Sequence, residues 1–312
     1  MSNSDSSHDH AHDGSHAHGH APKSFGMAFA IGVTLNLGFV VAETIFGVLS
    51  NSTALLADAG HNLGDVLGLL VAWAAVGLSK RAPSRQFTYG LHGSSILAAL
   101  FNAAFLFVAI GAIGWEAVQR FSNPEPVAGA TVMAVAATGI LINGATAWLF
   151  ASGRKGDINI KSAFLHMAAD AVVSAGVVVG AFVIIYTRWL WIDPLISVVI
   201  CGVILWSSWG LLRTSVQMSL NAVPEHIDAA AVRKFLEDRP GVAQIHDLHI
   251  WPISTTETAL TCHLVIPGGH PGDAFLLQAV HQLKHDFAIG HATFQIEISE
   301  GSARELAPES VI

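Results

Sequence analysis

Two short runs hold the residues best equipped for chemistry: His61 and Asp65 in ALLADAGHNLGDVLGLL, and His166 and Asp170 in SAFLHMAADAVVSAG. Each reads His-x-x-x-Asp inside an apolar stretch. On a helix, positions i and i+4 share one face about one turn apart, so each pair offers an imidazole nitrogen and a carboxylate oxygen to one point. If the two runs cross a membrane in opposite directions, His61 lies level with Asp170 and Asp65 with His166. Together they form a four-ligand cage with two nitrogen and two oxygen donors. That set suits a tetrahedral divalent ion of zinc's character, whereas an all-carboxylate set suits harder ions such as manganese or magnesium. One such pair alone would serve equally well as hydrogen-bonding glue between helices. Two matching pairs on antiparallel spans favour the metal. Nearby, Asp58 reads as a helix cap or a water-facing group, and Glu43 as structural or vestibular. Asn36, Asn102 and Asn143 read as hydrogen-bond partners between helices.

The elements that must position these residues follow from hydropathy. Hydrophobic residues make up 52% of the 312 and charged residues 12%, against about 25% charged in an ordinary soluble domain. Positions 25–214 are almost continuously apolar and divide at turn and charge signals into 25–49, 53–79, 90–121, 127–152, 161–186 and 189–212. Each has the roughly 20 residues that span hydrocarbon. With both termini in the cytoplasm, Lys23, Lys80, Arg81, Arg85, Arg154, Lys155, Lys161 and Arg213 fall inside and only Arg120 and Arg188 outside, as the positive-inside bias requires. The net charge of −8, with no basic stripe, excludes a nucleic-acid partner. Cys201 and Cys262 form no disulfide framework. Residues 1–21 lack the apolar core of a cleavable signal peptide.

After Pro224 the pattern becomes that of a small water-facing domain. A helix is expected over 227–239, strands over 242–254 and 257–267, an amphipathic helix over 273–287 and a last strand over 291–299. The order αββαβ points to a ferredoxin-like α+β sandwich, and its small size favours pairing with a second copy. The fold expected is therefore an α-helical membrane protein of six transmembrane helices followed by this cytosolic domain. Its parts are a disordered histidine-rich tail (1–24), the membrane domain (25–213), the metal-binding cytosolic domain (214–300) and a terminal tail (301–312). Six histidines fall within positions 8–20, a segment unable to bury a core but able to gather zinc.

The runs LSNSTALLADAGHNLGDVLGLL, TYGLHGSSILAAL and NIKSAFLHMAADAVVSAGVVV, the dipeptide Asp193-Pro194 and IHDLHIW in the tail resemble the cation diffusion facilitator family, nearest its zinc-exporting branch. The resemblance covers the chain from Phe25 to Glu300. It implies a homodimer of six-span protomers, a cytosolic metal-binding tail and metal/proton antiport by alternating access. The family's transport-site motif falls on His61, Asp65, His166 and Asp170. Its tail metal site falls on His246, His263 and Glu297, with His92 of the loop between the second and third spans reaching it. The sequence departs from the family pattern at Gly93-Ser94-Ser95, at Gly290-His291, and in the 153–160 loop, which has no histidine tract.

The expected function is secondary active efflux of divalent zinc, with cadmium and cobalt as further substrates, in exchange for protons. Protons and metal compete for the same ligands, and an imidazole ordinarily titrates near pH ~6.5. No catalytic cofactor is expected; zinc is the substrate and a structural or regulatory ligand of the tail. The partners are zinc, protons, a second copy and the bilayer, and the location a bacterial inner (plasma) membrane. An enzyme is not expected: the chain has neither His-Glu-x-x-His nor a phosphate-binding G-x-x-x-x-G-K-[ST]. A membrane-bound metal sensor or storage protein is the rival reading. It accounts for the tail but not for ligands inside a six-span bundle.

Overall fold

Six long helices form one bundle, and a small α/β unit follows. The computed structural model describes residues 27–151 and 158–299. The histidine-rich segment, the start of the first span, the end of the fourth and residues 301–312 lie outside the described residues. The bundle helices are α1 (Met27–Leu49), α2 (Thr53–Ser79), α3 (Ser94–Ser122), α4 (Gly129–Ala151), α5 (Ile158–Thr187) and α6 (Ile192–Ser219). Among the described residues, α2 to α6 each contain a stretch long and apolar enough to cross a membrane, and α1 contributes the shorter apolar stretch Thr34–Leu49. Large side chains such as Trp148, Val108, Leu141 and Trp206 point outward, as lipid-facing positions should.

Two boundaries differ from the hydropathy reading. Helix α3 begins at Ser94 rather than 90, because Gly90 takes φ 70° and its N–H closes a turn onto the Phe87 carbonyl at 2.9 Å. Helix α6 continues to Ser219 rather than 212. Arg213 ends the apolar run but not the helix, since arginine is a good helix former.

The end of the bundle at the α1–α2 turn, here the far side, is fastened by polar contacts. Asn51 turns the chain at φ 55°. Arg120 donates to its carbonyl at 2.6 Å and to its Oδ1 at 2.8 Å. The Ser52 hydroxyl caps α2 by accepting from the Leu55 N–H at 3.1 Å, and it donates to the buried carboxylate of Asp193 on α6. Asp193 Oδ2 also accepts from the Thr53 N–H at 2.7 Å and the Thr53 hydroxyl at 2.8 Å. A carboxylate at a helix N-terminus meets both unpaired donors and the positive end of the dipole. Asp193→Ala leaves these buried donors unmet, so a loss of about 2–3 kcal/mol is expected. The thermal midpoint in detergent checks it, with Asp193→Asn falling between the two.

The apolar core lies in the middle and far half of the bundle, around Leu55, Ile110, Val132, Val177 and Ile204. Close approach of α5 and α6 there depends on Gly180, where an added Cβ would stand 2.0 Å from Ile196 Cδ1.

The second unit runs α7 (Ala229–Glu237), β1 (Gln244–Pro252), β2 (Thr258–Val265), α8 (Asp273–Phe287) and β3 (Ile289–Glu297), the expected αββαβ order. Strand β2 is central, antiparallel to β1 and parallel to β3. The parallel pair needs the α8 crossover. Ala288, at φ 58°, ends α8 and starts β3 two residues earlier than expected. Leu236, Leu260, Leu264, Leu283 and Ile289 fill the core between helices and sheet. This unit meets the bundle at the start of α3, where the Thr255 N–H donates to Ser95 Oγ at 3.1 Å. That end is the tail side.

Candidate metal centre

Helices α2 and α5 carry the two His-x-x-x-Asp pairs past each other in opposite directions, and the side chains close into a ring. His61 Nε2 lies 3.1 Å from Asp170 Oδ1 and 3.7 Å from Asp65 Oδ2. His166 Nε2 lies 3.1 Å from Asp65 Oδ2 and 3.7 Å from Asp170 Oδ2. Zinc held tetrahedrally by nitrogen and oxygen at about 2.0–2.1 Å sets its ligands roughly 3.3–3.4 Å apart. The four edges bracket that spacing, and donors of His61, Asp65 and Asp170 all lie within 4.8 Å of one another; His166 meets the ring through Asp65 and has to swing further in to share one small ion with them.

Exposure across the ring is graded. His166 and Asp65 side chains are 42% and 35% exposed, His61 15% and Asp170 4%. The open members face a cavity of about 340 Å³ that runs toward the tail side past Asn36, Gly68, Asn102, Asn143 and Leu211. The apolar core closes the opposite direction. The asparagines read from sequence as helix glue therefore line the route to the ring. Asn102 Oδ1 and Asn143 Nδ2 are buried without a partner, so they present free polar atoms there. The signal in the sequence is their spacing on three different spans at tail-side depth.

Asp58 is neither a cap nor water-facing. Ser52 caps α2, and Asp58 is fully buried, accepting from the Ser174 hydroxyl at 2.8 Å. Glu43 is also fully buried and accepts from Asn62 Nδ2 at 3.0 Å, so it lines no vestibule. Helical phase, not distance from the membrane edge, decides both: Asp58 falls on the α2 face that packs inward.

In the tail unit, His246, His263 and Glu297 converge across the sheet. His246 Nε2 is 3.0 Å from Glu297 Oε2, and His263 Nδ1 is 2.8 Å from Glu297 Oε1. A bulge between His246 and His249 on β1 places Asp247 at φ 51°, with its carboxylate 3.4 Å from His263 Nε2. Burial alone would raise the Glu297 carboxyl above the usual range, but hydrogen bonds from His246 and His263 outweigh it and hold the group below. Burial pushes the neighbouring Cys262 thiol up to about 12, so it offers no thiolate to the cluster.

His92 does not join this cluster. Its Nδ1 pairs with Glu257 at 2.5 Å, beside the start of β2. Thr258 to His263 is five residues, about 16 Å of strand, which separates the two places within one chain. The cluster carries its own prediction. In full-length protein whose ring is disabled by Asp170→Ala, adding His263→Ala should weaken the remaining zinc binding at least about tenfold; titration calorimetry reads it.

Comparisons with known proteins match both units of the chain. A family model described as the cation efflux transmembrane domain matches residues 29–218, and one described as the cation efflux protein cytoplasmic domain matches 224–299. The chain is 38% identical over 273 residues to the zinc transporter ZitB of Escherichia coli, covering 87% of this chain and 86% of that protein. It is 36% identical to a cadmium, cobalt and zinc/H(+)-K(+) antiporter of Bacillus subtilis, covering 83% and 85%. It is likewise 36% identical to the metal cation efflux system protein CzcD of Cupriavidus metallidurans, covering 86% and 85%. With both of its units matched and relatives aligned over most of its length, the chain belongs to the cation efflux family, also called cation diffusion facilitators, in its zinc-exporting branch.

Proposed function

We propose that the protein exports divalent zinc, with cadmium and cobalt as further substrates, in exchange for protons, and that His61, Asp65, His166 and Asp170 bind the ion in transit. The observation that carries this reading is the closed His/Asp ring, reached from the tail side by a cavity that Asn36, Asn102 and Asn143 help to line, with the packed interior of the bundle on its other side. A binding site open to one side at a time is what alternating access requires.

Each residue has a task. The two carboxylates offset the ion's charge and compete for it with protons; the two imidazoles bind it only when neutral at Nε2. Protons arriving from the far side displace zinc there, and the protonated empty ring returns to the tail side. His246, His263 and Glu297 form a second, cytosolic zinc site that tunes the cycle, and His92 with Glu257 joins the two units beside the cavity mouth. Two copies associate, both termini lie in the cytoplasm, and the membrane is a bacterial inner membrane. The basic residues on the tail side support that orientation.

The test is the purified protein in liposomes, with zinc and internal pH followed together. Zinc movement accompanied by opposite proton movement is expected. Zinc flux indifferent to an imposed pH gradient would remove protons from the cycle.

A further inference from the structure

Above the ring, on its far side, two carboxyl groups lie buried together. Glu43 on α1 and Asp58 on α2 are both fully buried, and their carboxyls stand within hydrogen-bonding range of each other. Each has one partnered oxygen, through Asn62 and Ser174 respectively. The others, Glu43 Oε1 and Asp58 Oδ1, have no donor. Two adjacent carboxylates cannot both remain ionised away from water, and one proton between them removes the repulsion and supplies the missing donor.

We propose that Glu43 and Asp58 hold one exchangeable proton between them and that this proton is carried in the cycle, beyond those that compete for the ring. The proposal rests on the exchange reading given above. The ligand is a proton rather than a second metal ion for two reasons. Asn62 and Ser174 both turn hydrogens, not lone pairs, toward the carboxyls, and a cation would be repelled by them. The pair is also enclosed, with neither side chain reaching solvent. The charged groups acting on Asp58 from the packed helices are Glu43 on α1, His61 on α2 and Asp170 on α5. Helix α4 contains no titratable residue, and Asp193 of α6 is engaged at the far end of α2. Occupation of the ring by a divalent ion therefore acts on the pair through His61 and Asp170. When zinc enters from the tail side, its charge favours release of the shared proton; when zinc leaves to the far side, the pair takes a proton up again.

Glu43→Gln tests this, because a glutamine amide can accept from Asn62 and donate to Asp58, standing in permanently for the protonated acid. Asp58→Asn does the same from the other side. In full-length protein in liposomes, each variant should still move zinc, but with a proton count per zinc lower by about one. Zinc binding at the ring in detergent should stay within about threefold of wild type. An unchanged proton count in either variant overturns the proposal. A measurement free of substitution is the zinc-induced infrared difference spectrum of the wild type. Loss of a protonated-carboxyl band is expected, and its absence also overturns the proposal. No proton movement in the wild type would sink the exchange reading itself, whereas wild-type exchange with unchanged variants would sink this pair alone.

Discussion

Asp170→Ala should reduce zinc-driven proton flux in liposomes by about a hundredfold or more, with expression and detergent elution close to wild type. Asp170 is the most buried member of the ring and meets both imidazoles, His61 at 3.1 Å and His166 at 3.7 Å. Its removal takes away one bond to the ion and half of the site's negative charge, leaving two histidines and one carboxylate. Even outer-shell changes at metal sites cost about ten- to a hundredfold in affinity or activity, so a lost ligand sets the upper end of that scale. Asp65→Ala should act in the same direction. Retention of most of the flux by either variant would detach the ring from transport.

His166→Asp is expected to change what is carried rather than whether it is carried. The substitution turns a ring of two imidazoles and two carboxylates into one imidazole and three carboxylates. Nitrogen donors hold zinc well, while oxygen-rich sets suit harder ions. The ratio of manganese to zinc transport should rise by about tenfold, and His61→Asp should do likewise from the more enclosed side. His166 is the cleaner site, because it faces the cavity and a shorter side chain leaves room for a water molecule. An unchanged ratio in both variants would mean that neither histidine touches the ion, and the ring would be helix glue.

Much of the ring was legible because a helix repeats every 3.6 residues: two His-x-x-x-Asp pairs on antiparallel spans have few ways to meet. The tail unit was legible for a similar reason, since its amphipathic helix at 273–287 and its alternating strands carry clear periods. What could not be read was helical phase inside the bundle. In a helix apolar on nearly every face, the pattern does not say which side turns inward, so it leaves Asp58 as a cap or water-facing group, which it is not, and does not separate a structural from a vestibular place for Glu43, which is buried. Likewise the cavity asparagines could not be told from packing residues. His92 shows a different limit. The loop that holds it is fixed by Gly90, Ser95 and the β1–β2 turn, and no sequence period reports such a meeting.

If the four ring side chains bind the ion as proposed, their graded exposure sets an order of dehydration. A hydrated ion coming through the cavity would meet the more exposed His166 and Asp65 while most of its water is still in place, and would reach the enclosed His61 only as the last water is shed. Loss of the hydration shell is thus divided into small steps, each water being replaced by a protein atom before the next departs. No single step has to strip the ion bare, which keeps the barrier low for a strongly hydrated cation.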